Sequence, residues 1–214
     1  MDLLLDERLK AIVSEIDCEV LADIGCDHGK IAVAAILDHR AQHVYAVDIS
    51  EDCIKKAIEL AKSCGVADNI DFIIGDGFKD IHAKLDQAVI AGLGGHAIAN
   101  ILMSENAPKR LILSSNSKHE VLRSFLNTAS LFSCRDYIVT ASNFHYPIIV
   151  VEPGIGLPYS SNHLYWGKNL PPTDCFIRML KETIKRFDAL PGMTVDTRNK
   201  LNSAKACLQE LHLF

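Results

Sequence analysis

Hydrophobic and polar positions follow two alternating rhythms through the first 152 residues. Short apolar runs of strand length are separated by stretches in which apolar residues recur every three or four positions, a strand–helix repeat. Residues 3–16 carry helical spacing (Leu5, Leu9, Ile12, Val13, Ile16) and precede the first run. Strands are predicted at Val20–Ile24, at HVYAV ending at Asp48, and at IDFII before Gly75-Asp76-Gly77. Two more are predicted at QAVIA before Gly92-Leu93-Gly94-Gly95 and at RLILS before Asn116-Ser117. Helices are predicted over about 29–38, over 51–63 behind a Ser50 cap, from the fourth turn to about Glu105, and from Asn116-Ser117 to about Leu131. The strands are apolar throughout, which predicts a parallel α/β sheet buried on both faces. RDYIVTA and FHYPIIVVE then follow with no helix between them and predict an antiparallel hairpin that finishes the sheet.

Beyond residue 152 the rhythm breaks. Residues 153–165 are rich in Gly, Pro and Ser and read as a linker. After Pro171-Pro172, Asp174 is expected to cap a helix running to about Leu190; Pro191-Gly192 breaks it, and Thr194 starts a second helix to the end. Apolar positions 176, 177, 180, 184 and 187 face 195, 201, 204, 208 and 211 at near-heptad spacing, which predicts an antiparallel coiled-coil hairpin. Such a hairpin is too thin for a core of its own and is expected to lean on the sheet. The expected division is 1–158 for the sheet domain and 159–214 for the hairpin.

Composition narrows the class. The chain is 214 residues long, 49% hydrophobic and 23% charged, as in ordinary globular proteins. It has no uncharged apolar run of roughly 18 residues, so no membrane span is expected. The start MDLLLDERLK lacks the basic, then apolar, pattern of a signal peptide. Seven scattered cysteines without a C-x-x-C pair point to reduced thiols in a cytoplasm, and to no metal site. The net charge of −5 is unevenly spread: residues 166–214 hold eight basic against five acidic side chains, the rest fourteen against twenty-two. A basic tail on an acidic body fits a polyanionic partner, and equally a solvated helix surface.

Chemistry concentrates where the strands end. VLADIGCDHGKIA, residues 20–32, looks like the opening of a nucleotide-binding fold, but Asp27 stands where a dinucleotide fingerprint needs glycine. A P-loop lysine motif is also absent. Five strand–helix units closed by a β-hairpin match the arrangement of class I methyltransferases, whose cofactor, S-adenosylmethionine, has no phosphate and carries a cationic sulfonium. An acidic site suits that cation and would repel a pyrophosphate. Asp23 and Gly25 would serve its methionine end, Asp48 its ribose hydroxyls and Asp76 its adenine amino group. Ile49, Gly77, Ala91 and Gly92 complete the expected cofactor wall. Each carboxylate alone reads equally well as a turn residue; three at successive strand ends do not.

On these residues the chain resembles the TrmK family, bacterial tRNA methyltransferases acting on N1 of adenine 22. LADIGCDHG, AVDIS, GDG, VIAGLGG and LILSSN carry the resemblance, with Glu7-Arg8-Leu9 and the terminal hairpin in support. One departure stands out: Ser114-Ser115-Asn116 replaces the family's Gln-Pro-Asn. The resemblance implies a class I S-adenosylmethionine-dependent methyltransferase fold, a tRNA substrate, and a monomer or weak homodimer in the cytoplasm. It implies phosphate contacts from Lys181, Lys185 and Arg186.

Adenine N1 carries its own lone pair, so the chemistry asks for alignment and for stabilisation of a ring that becomes cationic. Asp27 is the first candidate for that charge, with capping of the next helix as the alternative. His28 and Asn116 are further catalytic candidates, Asn116 also reading as a helix cap. Gly94 and Gly95 would leave room for the base, His96 would border it, and Tyr146 would stack on it. Methylation of a small molecule or protein, or a non-catalytic cofactor- and RNA-binding module, remain alternative readings.

Overall fold

The computed structural model describes residues 3–142, 144–153, 156–168 and 173–211. Eight α-helices lie among them: α1 (Glu7–Ser14), α2 (Lys30–Leu37), α3 (Glu51–Ser63), α4 (Gly95–Ile101), α5 (His119–Thr128), α6 (His163–Trp166), α7 (Asp174–Asp188) and α8 (Val195–Glu210). The strands are β1 (Val20–Ile24), β2 (His43–Asp48), β3 (Ile70–Ile74), β4 (Gln87–Ala91), β5 (Arg110–Ser114), β6 (Ser133–Ala141) and β7 (Phe144–Val151). They form one seven-stranded sheet in the order β3-β2-β1-β4-β5-β7-β6. The first five are parallel, and β7 runs antiparallel to both its neighbours. The predicted parallel α/β sheet with a closing antiparallel hairpin is therefore present.

Burial explains the apolar strands. Leu21, Ala22, Val44, Ala46, Ala88, Val89, Ile90, Ile112 and Leu113 are sealed from solvent, because helices cover both sheet faces. One core lies under α1, α2 and α3; the other lies under α4 and α5. The N-terminal helix is held by more than its apolar face. Asp6 caps α1 by accepting from the Leu9 amide at 2.8 Å. At the other end, buried Glu15 accepts from the Tyr137 hydroxyl at 2.8 Å and pairs with Arg135. The α1 helix is thereby pinned to β6, a strand more than a hundred residues later in the chain.

Several expectations shift in detail. Thr173, not Asp174, caps α7: its hydroxyl accepts from the Phe176 amide, and Asp174 is the first helical residue. The stretch read as a linker contains α6 and is tied down at Tyr159, whose backbone N–H and C=O both bond Asn127. Tyr159 packs into the sheet-domain core. Among its described residues only Tyr159 is buried, so one aromatic side chain anchors an otherwise largely exposed connection. In the hairpin, Phe176, Leu180, Ala204 and Leu208 cluster as expected, joined by Cys207 and Trp166, but Val195 is exposed at the first turn of α8. The α4 and α5 helices also stop a few residues short of the expected ends. Pro171-Pro172 and the last three residues of the expected final helix lie outside the described residues.

Candidate active site

The sheet order reverses direction between β1 and β4, and a crevice opens there beyond the strands' carboxyl ends, where α/β folds bind ligands. Three turns build it. After β1, Gly25 takes φ +73° and Asp27 φ +49°, while the Gly25 and Cys26 amides donate to the Val47 carbonyl. A side chain at Gly25 would meet Leu93, so glycine there keeps both the left-handed turn and the open crevice. After β2, the Asp48 carboxylate accepts from the Asp27 amide at 3.0 Å and from the Ser50 amide at 2.9 Å. After β4, Gly92 N–H donates to the Ser114 carbonyl and Gly92 C=O accepts from Asn116 Nδ2 at 2.7 Å.

Two cavities meet at Gly25, Asp48 and Leu93. The larger, of about 730 Å³, is lined by Ile49, Asp76, Gly77, Phe78, Ile101 and Met103 among others. Its one lysine, Lys79, is paired with Asp76. The second, of about 580 Å³, holds Arg8, Asp27, His28, Ala91, Gly92 and Asn116. One cavity is apolar with carboxylates at its rim; the other is polar and mixed in charge.

Asp27 does not cap α2. Gly29 occupies that cap position without a side-chain bond, and Asp27 Oδ1 instead lies 2.8 Å from His28 Nδ1 and accepts from Cys53 Sγ at 3.5 Å. Partial burial would raise the Asp27 pKa, but the hydrogen bonds from His28 and Cys53 outweigh it and hold the carboxyl below its usual value. Asp27 is thus a fixed anion facing the second cavity. His28 is half exposed beside it.

The expected direct contact from Asp23 is corrected. Its side chain is buried behind the turn, where Oδ2 accepts from the Ala32 amide at 3.2 Å and so holds the start of α2. Burial, with a further push from Asp48, raises its pKa to about 7 against the pull of that amide. Gly95 is corrected too. It is buried, and a Cβ there would overlap the Lys118 carbonyl, so glycine is required for α4 to pass the 117–118 backbone rather than to admit a base. Gly94 sits beside it, bridged to Ser117. His96 is exposed and lines neither cavity.

Asn116 does not cap α5 either; Lys118 takes that position in a left-handed conformation. The Asn116 amide is used on both sides, donating to Gly92 and accepting from Arg8 Nη1 at 3.4 Å. Arg8 also lies with Cζ 4.8 Å from the centre of the Tyr146 ring, which brings Tyr146 to the margin of this cavity. Sequence reading gave Arg8 no role, because its partners lie over a hundred residues away. The departure Ser114-Ser115 has a physical answer: Ser115 Oγ lies 2.7 Å from His119 Nδ1, which ties down the backbone that a proline would otherwise stiffen. Of the three tail cations, Lys181 and Lys185 are exposed on α7, while Arg186 lines a further cleft toward the sheet.

Comparisons with known proteins bear on the family and the fold. The family model described as a methyltransferase domain matches residues 5–149. The Bacillus subtilis tRNA (adenine(22)-N(1))-methyltransferase is 30% identical over 159 residues, 72% of this chain and 67% of that one. The chain belongs to the TrmK family of methyltransferases. Alignment takes in about two thirds of the curated relatives, 65% of Mycoplasma genitalium MG248 and 67% of the Bacillus subtilis protein. TrmK structures are similar in fold over nearly the whole chain. The M. capricolum protein, solved with S-adenosyl-homocysteine, has a TM-score of 0.84 at 19% identity, covering 96% of this chain and 98% of that one. The B. subtilis protein has a TM-score of 0.78 at 24% identity, covering 99% and 98%.

Proposed function

We propose that the chain is an S-adenosylmethionine-dependent tRNA methyltransferase acting on N1 of adenine 22. The observation that carries this reading is the junction of two cavities at Gly25, Asp48 and Leu93, one suited to the cofactor and the other to the base. The residues fit the cofactor. Both Asp48 oxygens already accept one backbone N–H each, and their remaining lone pairs are free to accept the ribose hydroxyls. Ile49, Gly77 and Phe78 offer apolar surface for its adenine, and Asp76 an acceptor for the amino group. Bound there, the cofactor supplies an electrophilic methyl group.

The chain's own residues then have three tasks in the second cavity. Gly92 and Asn116 hold a base edge through backbone and amide. Arg8 and Tyr146 form a flat wall for a base removed from its stack, as chemistry on a paired or stacked base demands. Asp27 faces the charge that develops on the ring as N1 gains its methyl. A carboxyl held at low pKa is a poor proton acceptor and a good counter-charge, so Asp27 acts by electrostatics, oriented by His28. The hairpin, with its excess of basic residues, supports an RNA partner through phosphate contacts.

Methyl transfer from labelled S-adenosylmethionine to unmodified tRNA tests the reading, with protein and small-molecule fractions as controls. Label should enter tRNA and be lost when adenine 22 is replaced by guanine. Label entering only protein or small molecules would overturn the substrate.

A further inference from the structure

A third cleft of about 440 Å³ lies between the sheet and the hairpin, and no task given above uses it. Asn116 lines both this cleft and the cavity that holds Asp27, so the two are neighbours across one side chain. Its volume is within the usual range for ligand sites, roughly 300–1,000 Å³.

The donors in this cleft outnumber the acceptors. Arg186 and Lys200 enter from α7 and α8, His119 from α5, His145 from β7, and no carboxylate lines the cleft among the described residues. Of the acids around it, Glu120 and Asp196 engage Lys118, Asp196 also the Tyr165 hydroxyl, and Asp136 engages Arg123, while Glu182 lies close enough to act on His145. Trp166 lines the cleft at 6% exposure, and its indole N–H is buried without a partner among the described residues. A buried donor left unpaired is costly unless something accepts from it. Lys200 Nζ stands 5.2 Å from the centre of that indole. Burial, chiefly, keeps His119 neutral, with a pKa lowered to about 4, and lowers that of Lys200. An anion entering the cleft would relieve both. Phe144, two-thirds exposed, and Tyr165 add aromatic surface beside these donors.

Cations, an orphan donor and aromatic rings together are the chemistry of a nucleotide: phosphate oxygens for the donors and a base face for the rings. Resting on the proposed function, we infer that this cleft is a second RNA subsite, holding the nucleotide next to the target adenine. Its phosphate would sit between Arg186 and Lys200, and its base against Phe144 and Tyr165. A flipped base leaves its neighbour unstacked, and the cleft restores a stacking surface one side chain away from the methylation site.

Trp166 is the only tryptophan in the chain, so its fluorescence reports this cleft directly. Titration with tRNA and with a single-stranded adenine-containing trinucleotide should change the signal. Inorganic phosphate and adenosine monophosphate serve as competing small ligands. Lys200→Met, which keeps the stem over the indole, and Arg186→Gln should each raise the tRNA KM about ten-fold, the lower end for a bond to a charged group. Each should also reduce the salt slope by about 0.7, one single-strand phosphate contact. S-adenosylmethionine affinity and melting temperature should stay at parent values, and Lys200→Arg should restore the KM. Parent-like KM and salt slope in both variants, in a parent that methylates tRNA, would overturn the subsite. So would a fluorescence response to the small ligands but not to RNA. If the parent methylates no tRNA while RNA still shifts Trp166 and the Lys200 variant abolishes the shift, the cleft stands and the assigned reaction falls.

Discussion

Asp48 offers the sharpest test of the cofactor site, because the structural and the proposed ligand-binding jobs of its carboxylate can be measured apart. Within the fold it accepts the Asp27 and Ser50 amides at 3.0 and 2.9 Å, joining the turns after β1 and β2. Toward the crevice it retains the lone pairs assigned to the ribose diol. Asp48→Ala removes both sets. The two amides lie near solvent and water can replace part of what they lose, so the stability cost should stay near 1–2 kcal/mol. The ligand loses hydrogen bonds to a charged acceptor, worth about 1.5–3 kcal/mol each, so one such bond weakens binding about 10- to 150-fold. Asp48→Asn keeps one carbonyl acceptor but turns an NH2 toward a donor, and should bind little better than alanine. Calorimetry with S-adenosylmethionine and S-adenosylhomocysteine measures the ligand term, and urea unfolding measures the other. Both ligands carry the ribose and only one carries the sulfonium charge, so ribose binding predicts the same loss for each. A dissociation constant within two-fold of the parent for both ligands would refute the site. A loss confined to S-adenosylmethionine would show that Asp48 acts by charge alone.

Three further outcomes are expected. Asp27→Asn should lower the single-turnover rate at saturating tRNA by about 10²–10³ while leaving cofactor affinity nearly unchanged; an unchanged rate would reduce Asp27 to a turn residue. Arg123, buried between Asp136 and the Leu164 and Tyr165 carbonyls, anchors α6 to the sheet. Arg123→Met strands the Asp136 charge and should cost about 3–5 kcal/mol in urea unfolding, with much of that recovered in Arg123→Met/Asp136→Leu; equal losses in single and double variants would contradict this. Asp23 has a folded pKa raised to about 7, so its contribution is present below its unfolded value near 4 and is lost as pH rises through 7. The stability of the parent relative to Asp23→Asn should therefore fall by about 2–3 kcal/mol between pH 5 and pH 8, and a flat difference would exclude a buried, protonated Asp23.

What the sequence determined by itself was local in origin. Apolar strands buried on both faces, helical spacing between them, and glycine turns at strand ends are properties of neighbouring residues, and each appears where expected. That Asp48 and Asp76 line the crevice was legible for the same reason, since each stands at or just past the carboxyl end of a parallel strand. Tertiary structure decided the rest. Asp27 looked like a helix cap or a catalytic group in equal measure until the Asp48 carboxylate, Cys53 and His28 were seen to hold it in the crevice. Asp23 looked like a ligand contact, but the turn buries it under α2, a matter of which way one side chain leaves its strand. Gly95 owes its place to a backbone 23 residues away, and Arg8 its position to Asn116, 108 residues away. The cleft around Trp166 draws on β6, β7, α5, α6, α7 and α8, six elements whose residues carry no mutual spacing in the chain. Periodicity and turn chemistry specify an element and the face it buries; only the packing of elements against one another decides which side chains meet.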